Sequence, residues 1–114
     1  MESTEHLLRA MYEGFNARQI DEVLSKLHPQ VDWPNGMEGG RVLGREAVRE
    51  YWTRQWKMIN PIVEPVSITP DETGHPDVQV HQVVRDLAGN VLTDQIVHHV
   101  YTITDGLVEK MEIR

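Results

Sequence analysis

The feature that most constrains how this chain can fold is a change of period near Pro61. Ahead of it, apolar residues recur at intervals of three and four. Behind it they alternate, β-branched residues become frequent and turn sequences punctuate the runs. This order predicts helices gathered before a long antiparallel sheet, an α+β arrangement in which the helices cover one sheet face. The 114 residues are expected to form a single domain over 1–114 around one modest core.

The first helical pattern runs from about Glu5 to Phe15 and places Leu7, Leu8, Met11, Tyr12 and Phe15 on one face, with Gly14 weakening the last turn. A second places Ile20, Val23, Leu24 and Leu27 together, with Asp21 and Glu22 near the positive end of the helix dipole. It is expected to stop at His28-Pro29, because the residue before a proline is pushed out of the helical region. The third begins near Gly44, carries Ala47, Val48, Tyr51, Trp52 and Trp56 on one face, and closes at Asn60-Pro61.

Long strands are expected over Val63 to Thr69, Asp77 to Asp86, Val91 to Thr104 and Leu107 to Arg114. Asp105-Gly106 predicts a two-residue hairpin, since both central positions of such a turn need positive φ. Short strands around Val31 to Trp33 and Arg41 to Val42 would make a small hairpin. On the third long strand, Val97, Tyr101 and Ile103 share a face with His99, while Leu92, Ile96 and Val100 share the other with Asp94 and His98. Both faces are substantially apolar, and helices can cover only one. The outer face is therefore expected to be buried in a homodimer.

Composition narrows the function. No apolar run approaches the ~20 residues that cross a bilayer, and the first residues lack the pattern of a signal peptide, which predicts a cytoplasmic protein without a membrane partner. The absence of cysteine removes disulfides, thiolate metal sites and a cysteine nucleophile. A net charge of −7 with 11 scattered Lys and Arg argues against nucleic acid. What remains is a small molecule or a protein.

Phe15-Asn16-Ala17-Arg18, the Asp32-Trp33-Pro34 turn, the Gly44-Arg45-Glu46-Ala47-Val48 helix start and the run from His99-Val100-Tyr101 to Asp105-Gly106 occur in an order that resembles the nuclear transport factor 2-like superfamily. Within it the chain is most similar to SnoaL-like and ketosteroid-isomerase-like proteins. The resemblance implies a cone-shaped barrel, a curved and mainly antiparallel sheet covered on its concave face by three N-terminal helices, with an apolar cavity and a usual dimeric state. Functions in the group range over isomerases, cyclases, hydrolases, dehydratases and non-enzymatic binders, so fold alone selects none.

The catalytic aspartate of steroid-isomerase-like members directly precedes a proline after the second helix, and the matching residue here is Trp33. Asp32, one position earlier, points to the other side of an extended segment. The family's tyrosine donor aligns near Met11, with Tyr12 one position away, and its second donor falls at His99 or His98. A register in which His81 opposes Gln95 would place His81 and His99 in one cavity with Tyr101. The candidate acid/base set is accordingly His99, His81 and Tyr101, and the expected pocket lining is Met11, Tyr12, Phe15, Trp33, Trp52, Trp56 and Val97. No third ligand stands at metal spacing, so neither metal nor cofactor is expected. The ligand is expected to be a small apolar or mixed-polarity metabolite. The alternatives are an isomerase or cyclase using His99 or His81, a protein-interaction module, and water activation of the epoxide-hydrolase kind through Arg85, Asp86 and Asp94.

Overall fold

The structure is a computed structural model and describes residues 3–114. Among these, three helices and six strands follow the order α1 (Thr4–Asn16), α2 (Ile20–Leu24), β1 (Leu27–Pro34), β2 (Arg41–Leu43), α3 (Arg45–Trp56), β3 (Ile59–Pro70), β4 (Pro76–Asp86), β5 (Val91–Thr104) and β6 (Leu107–Ile113). The strands form one curved sheet in the order β2-β1-β6-β5-β4-β3, antiparallel throughout except where β1 runs parallel to β6. The helices pack on one face of it, giving an α+β cone.

Local chemistry explains the helix ends. Ser3 caps α1 by accepting the His6 backbone N–H at 3.1 Å. At the other end the Gln19 N–H bonds to the Gly14 carbonyl and the Arg18 N–H to the Phe15 carbonyl, with Arg18 at φ 62°, the left-handed closure usually given to glycine. Gly14 has a packing role as well: a Cβ there would stand 2.9 Å from the Val23 Cγ2, so the missing side chain is what lets α2 lie against α1.

Two side chains tie the end of α1 to β3. The Asn16 amide donates to the Val63 carbonyl at 2.8 Å and accepts from the Val63 N–H at 2.9 Å. Arg18 donates to the Phe15 and Pro61 carbonyls and to Asn60 Oδ1, and its guanidinium lies over the rings of Phe15 and Trp56.

The second helix is shorter than its apolar spacing predicts. It ends at Leu24, and Leu27 and His28 instead open β1. Leu27 is fully buried, opposite Val108 on β6, and the Val108 N–H bonds to the Lys26 carbonyl. Pro29 excludes the helical region at His28, and the tertiary pairing decides the two residues before it. The strand after α3 begins at Ile59, earlier than expected, and runs through Pro61 and Pro65. An edge strand tolerates both, because its outer side has no ladder to complete.

The core is drawn from every layer. Leu8 of α1, Val48 and Trp52 of α3, Val31 of β1, Val78 and Val80 of β4, Tyr101 of β5 and Val108 of β6 are all essentially inaccessible. The hairpin between β5 and β6 closes at Asp105 (φ 55°) and Gly106 (φ 76°), as the sequence predicts. On the opposite sheet face Val66, Leu92 and Ile96 are exposed. No helix among the described residues is long and apolar enough to cross a membrane.

Candidate functional site

Between the helices and the concave sheet face lies a pocket of about 100 Å³. α1 supplies Met11, Tyr12 and Phe15; the end of β1 supplies Trp33 and Pro34 and the turn after it Gly36; α3 supplies Tyr51, Trp52 and Gln55. The sheet adds Pro61 and Val63, then Gln82, then His99 and Tyr101, with Met111 and Ile113 from β6. No Asp, Glu, Lys or Arg lines it.

The wall is largely aromatic. Trp33 meets Trp52 edge to face at 5.3 Å, Phe15 meets Trp52 at 5.3 Å, and Trp56 stacks behind Trp52 at 6.2 Å. Tyr51 accepts the Gly36 N–H at 3.1 Å and so pins the turn that follows Trp33 and Pro34.

The polar part is a line of three buried groups. His99 and Tyr101 are two apart on β5, which puts both on the concave face, and Tyr12 reaches down from α1 between them. Tyr12 Oη lies 2.8 Å from His99 Nδ1 and 2.6 Å from Tyr101 Oη. Burial holds His99 down at about 4, with the nearby His98 charge adding to the effect, so its imidazole is neutral at pH 7. Burial likewise pushes the hydroxyls of Tyr12 and Tyr101 up, keeping both protonated. A neutral imidazole and two neutral hydroxyls can run their hydrogen bonds in either sense. In one, Tyr101 donates to Tyr12 and Tyr12 to His99. In the other, His99 donates to Tyr12 and Tyr12 to Tyr101, leaving the Tyr101 proton for a guest.

His81 is not in this group. Next to the turn, Arg85 faces Val91, the register that would have set His81 against Gln95. Leu92 then bulges out, Val84 faces Thr93, and every pair beyond is displaced by one, so His81 faces Ile96. A one-residue shift exchanges faces: His81 lies on the outer side, where Nε2 is 2.7 Å from Asp94 Oδ1. His98 is also outside, 2.8 Å from Asp77. The same displacement puts Arg85 and Asp94 on one face, but the outer one, and Arg85 has no ion-pair partner among the described residues.

Met11, Tyr12, Phe15, Trp33 and Trp52 thus border the pocket with His99 and Tyr101, whereas Trp56 and Val97 do not. Trp56 stands one layer back, its indole N–H buried without a partner among the described residues. Val97 lies opposite Val80, two residues before His99 on β5. Asp32 points away and pairs with Arg41 at 2.6 Å. Sequence reasoning missed Gln55, Gln82 and Met111. Gln55 follows Trp52 by three residues on α3, and Met111 pairs with Tyr101 across the hairpin, so spacing and register held the signal for both. Among the described residues, no three His, Cys, Asp or Glu side chains gather as a metal site would require.

The family described as the SnoaL-like domain matches residues 8–111. No curated protein matches the chain. Among solved structures, TerC co-crystallized with polyporic acid is similar at 27% identity and TM-score 0.81, over 95% of this chain and 87% of that one. A nuclear transport factor 2-like protein of unknown function from Burkholderia pseudomallei matches at 23% identity and TM-score 0.84, over 100% and 91%. A Mycobacterium tuberculosis protein in complex with estradiol-17beta-hemisuccinate matches in fold at 14% identity and TM-score 0.79, over 94% and 88%.

Proposed function

The chain belongs to the SnoaL-like domain family, and from that premise we propose that its pocket is a binding site for a small apolar or mixed-polarity molecule. The observation that carries this reading is the buried Tyr12–His99–Tyr101 line inside a wall that is otherwise mainly apolar and aromatic, with Gln55 and Gln82 as its uncharged polar members. Ligand sites characteristically combine apolar walls with a few convergent polar groups. Fold neighbours that hold polyporic acid and estradiol hemisuccinate support a ligand-binding role without identifying this chain's ligand.

The pocket wall provides its own reporter. A ligand is expected to quench tryptophan fluorescence, and Trp33→Ala to remove most of the response. Silence across a broad metabolite panel would refute the binding reading and favour a protein-interaction module.

A second reading, acid–base catalysis, rests on His99. A buried neutral imidazole hydrogen-bonded through Nδ1 to a tyrosine is able to take a proton from a bound molecule, while Tyr101 donates to a developing oxyanion. His99→Ala retaining full turnover on a discovered substrate would sink this assignment. We further propose that the outer face bearing Val66, Leu92 and Ile96 is buried in a homodimer and that the protein works in the cytoplasm. A monomeric mass by light scattering at micromolar concentration would overturn the dimer.

A further inference from the structure

Three properties of the pocket bear on what enters it. The first is size: about 100 Å³, on the scale of the roughly 150 Å³ apolar cavity that takes up one benzene and well below the roughly 300–1,000 Å³ of pockets for drug-sized ligands. The second is charge, since no ionised side chain lines the space and His99 is neutral at pH 7. A carboxylate or ammonium entering would leave water without meeting a counter-charge, at a cost that buried ion pairs exist to offset. The third is the placement of polar atoms. Tyr12, His99 and Tyr101 are buried and joined to one another, so they present one buried hydrogen-bonding locus; the Tyr51 hydroxyl is taken by the Gly36 N–H, and Gln55 and Gln82, the other polar side chains of the lining, are only half-buried.

That locus is adaptable. Because its protons can run either way, it offers a guest a donor in one arrangement and an acceptor in the other, and so accommodates a hydroxyl or a carbonyl without rearranging heavy atoms. The flat faces of Trp33 and Trp52 and the side chains of Met11 and Met111 suit an unsaturated ring, with sulfur available to its edge.

We propose that the ligand of this pocket is an uncharged single-ring compound carrying one hydroxyl or carbonyl oxygen, of which phenol is the simplest example, held with that oxygen at Tyr12, His99 and Tyr101 and its ring against Trp33 and Trp52. This rests on the small-molecule reading of the pocket and adds to it limits of size, charge and polarity. The inner walls of the pocket are packed core side chains, among them Trp52, Tyr12 and Met111, so making room for a second ring beside them would unpack the protein.

The test is a four-probe titration at pH 7, followed by tryptophan fluorescence and by chemical shifts of the tryptophan indole protons. Phenol, benzene, benzoate and 2-naphthol differ from one another in oxygen, charge and ring number. Phenol is expected to bind at least tenfold more tightly than benzoate or 2-naphthol and several-fold more tightly than benzene. In Tyr101→Phe the preference for phenol over benzene is expected to shrink while benzene binding stays. The comparisons on the unaltered chain decide the matter even if that variant folds poorly. Benzoate or 2-naphthol binding as tightly as phenol would overturn the proposed ligand class and leave a ligand site intact. Absence of binding by all four would overturn this inference, while the binding reading of the pocket falls only if the broad metabolite panel is silent as well.

Discussion

Replacing Tyr12 by phenylalanine should cost more stability than replacing Tyr101, although each change removes one hydroxyl from the same hydrogen-bonded line. Tyr12 is the central member, with His99 Nδ1 at 2.8 Å on one side and Tyr101 Oη at 2.6 Å on the other. All three residues are 6% exposed or less. Tyr12→Phe strands two buried polar groups, each of which costs about 1–3 kcal/mol when left without a partner, so a loss of about 2–6 kcal/mol is expected. Tyr101→Phe leaves the Tyr12 hydroxyl bonded to His99 and strands nothing, which predicts a loss of about 1 kcal/mol. Urea denaturation reads the difference. With a slope of about 2 kcal/mol per molar, Tyr12→Phe should lower the midpoint by about 1–3 M at unchanged slope, and Tyr101→Phe by about 0.5 M. Equal losses in the two variants, or a smaller one for Tyr12→Phe, would refute the bridging role.

Stability should also fall on mild acidification through His99. Its folded value near 4 lies below the unfolded 6.5, so the unfolded chain takes up a proton first; its stabilisation is whole above pH 6.5, declines from there to about pH 4 and is then exhausted. The full difference amounts to about 3 kcal/mol. Urea titrations at several pH values on the chain and on His99→Gln should differ by this amount, and parallel pH profiles would count against it. Gly14→Ala should destabilise despite the gain of about 1 kcal/mol in helix propensity, because the new methyl would sit 2.9 Å from Val23 and overpacking costs about 1–3 kcal/mol. A raised thermal midpoint would show that Val23 yields freely.

Much of this architecture is legible in the residues. The periods of α1 and α3 and the Asp105-Gly106 turn report directly on backbone geometry, and so they locate their elements well. Leu27 misleads because its spacing from Val23 and Leu24 suits a helix face equally, and only its burial against β6 decides for a strand. The parallel pairing of β1 with β6 leaves no local mark at all, since it joins the two ends of the chain's sheet-forming segments. His81 was misplaced for a subtler reason. A bulge at Leu92 is one more apolar residue in an apolar run, yet it decides which histidine faces the pocket. The aromatic wall was readable from composition and helix spacing; the line joining Tyr12 to His99 was not, because contacts 87 residues apart depend on how α1 crosses the sheet.

The pairing of Asn16 with Val63 has a consequence for life in a concentrated solution. β3 forms one margin of the sheet, and an uncovered margin invites a strand from another molecule to add on. Asn16 meets the Val63 N–H and carbonyl as a neighbouring strand would, Arg18 occupies the Pro61 carbonyl, and Pro61 and Pro65 have no N–H to offer. The helix that completes the pocket therefore also guards the chain against edge-to-edge aggregation. A substitution at Asn16 would be felt first as lost solubility, with the aromatic wall still standing.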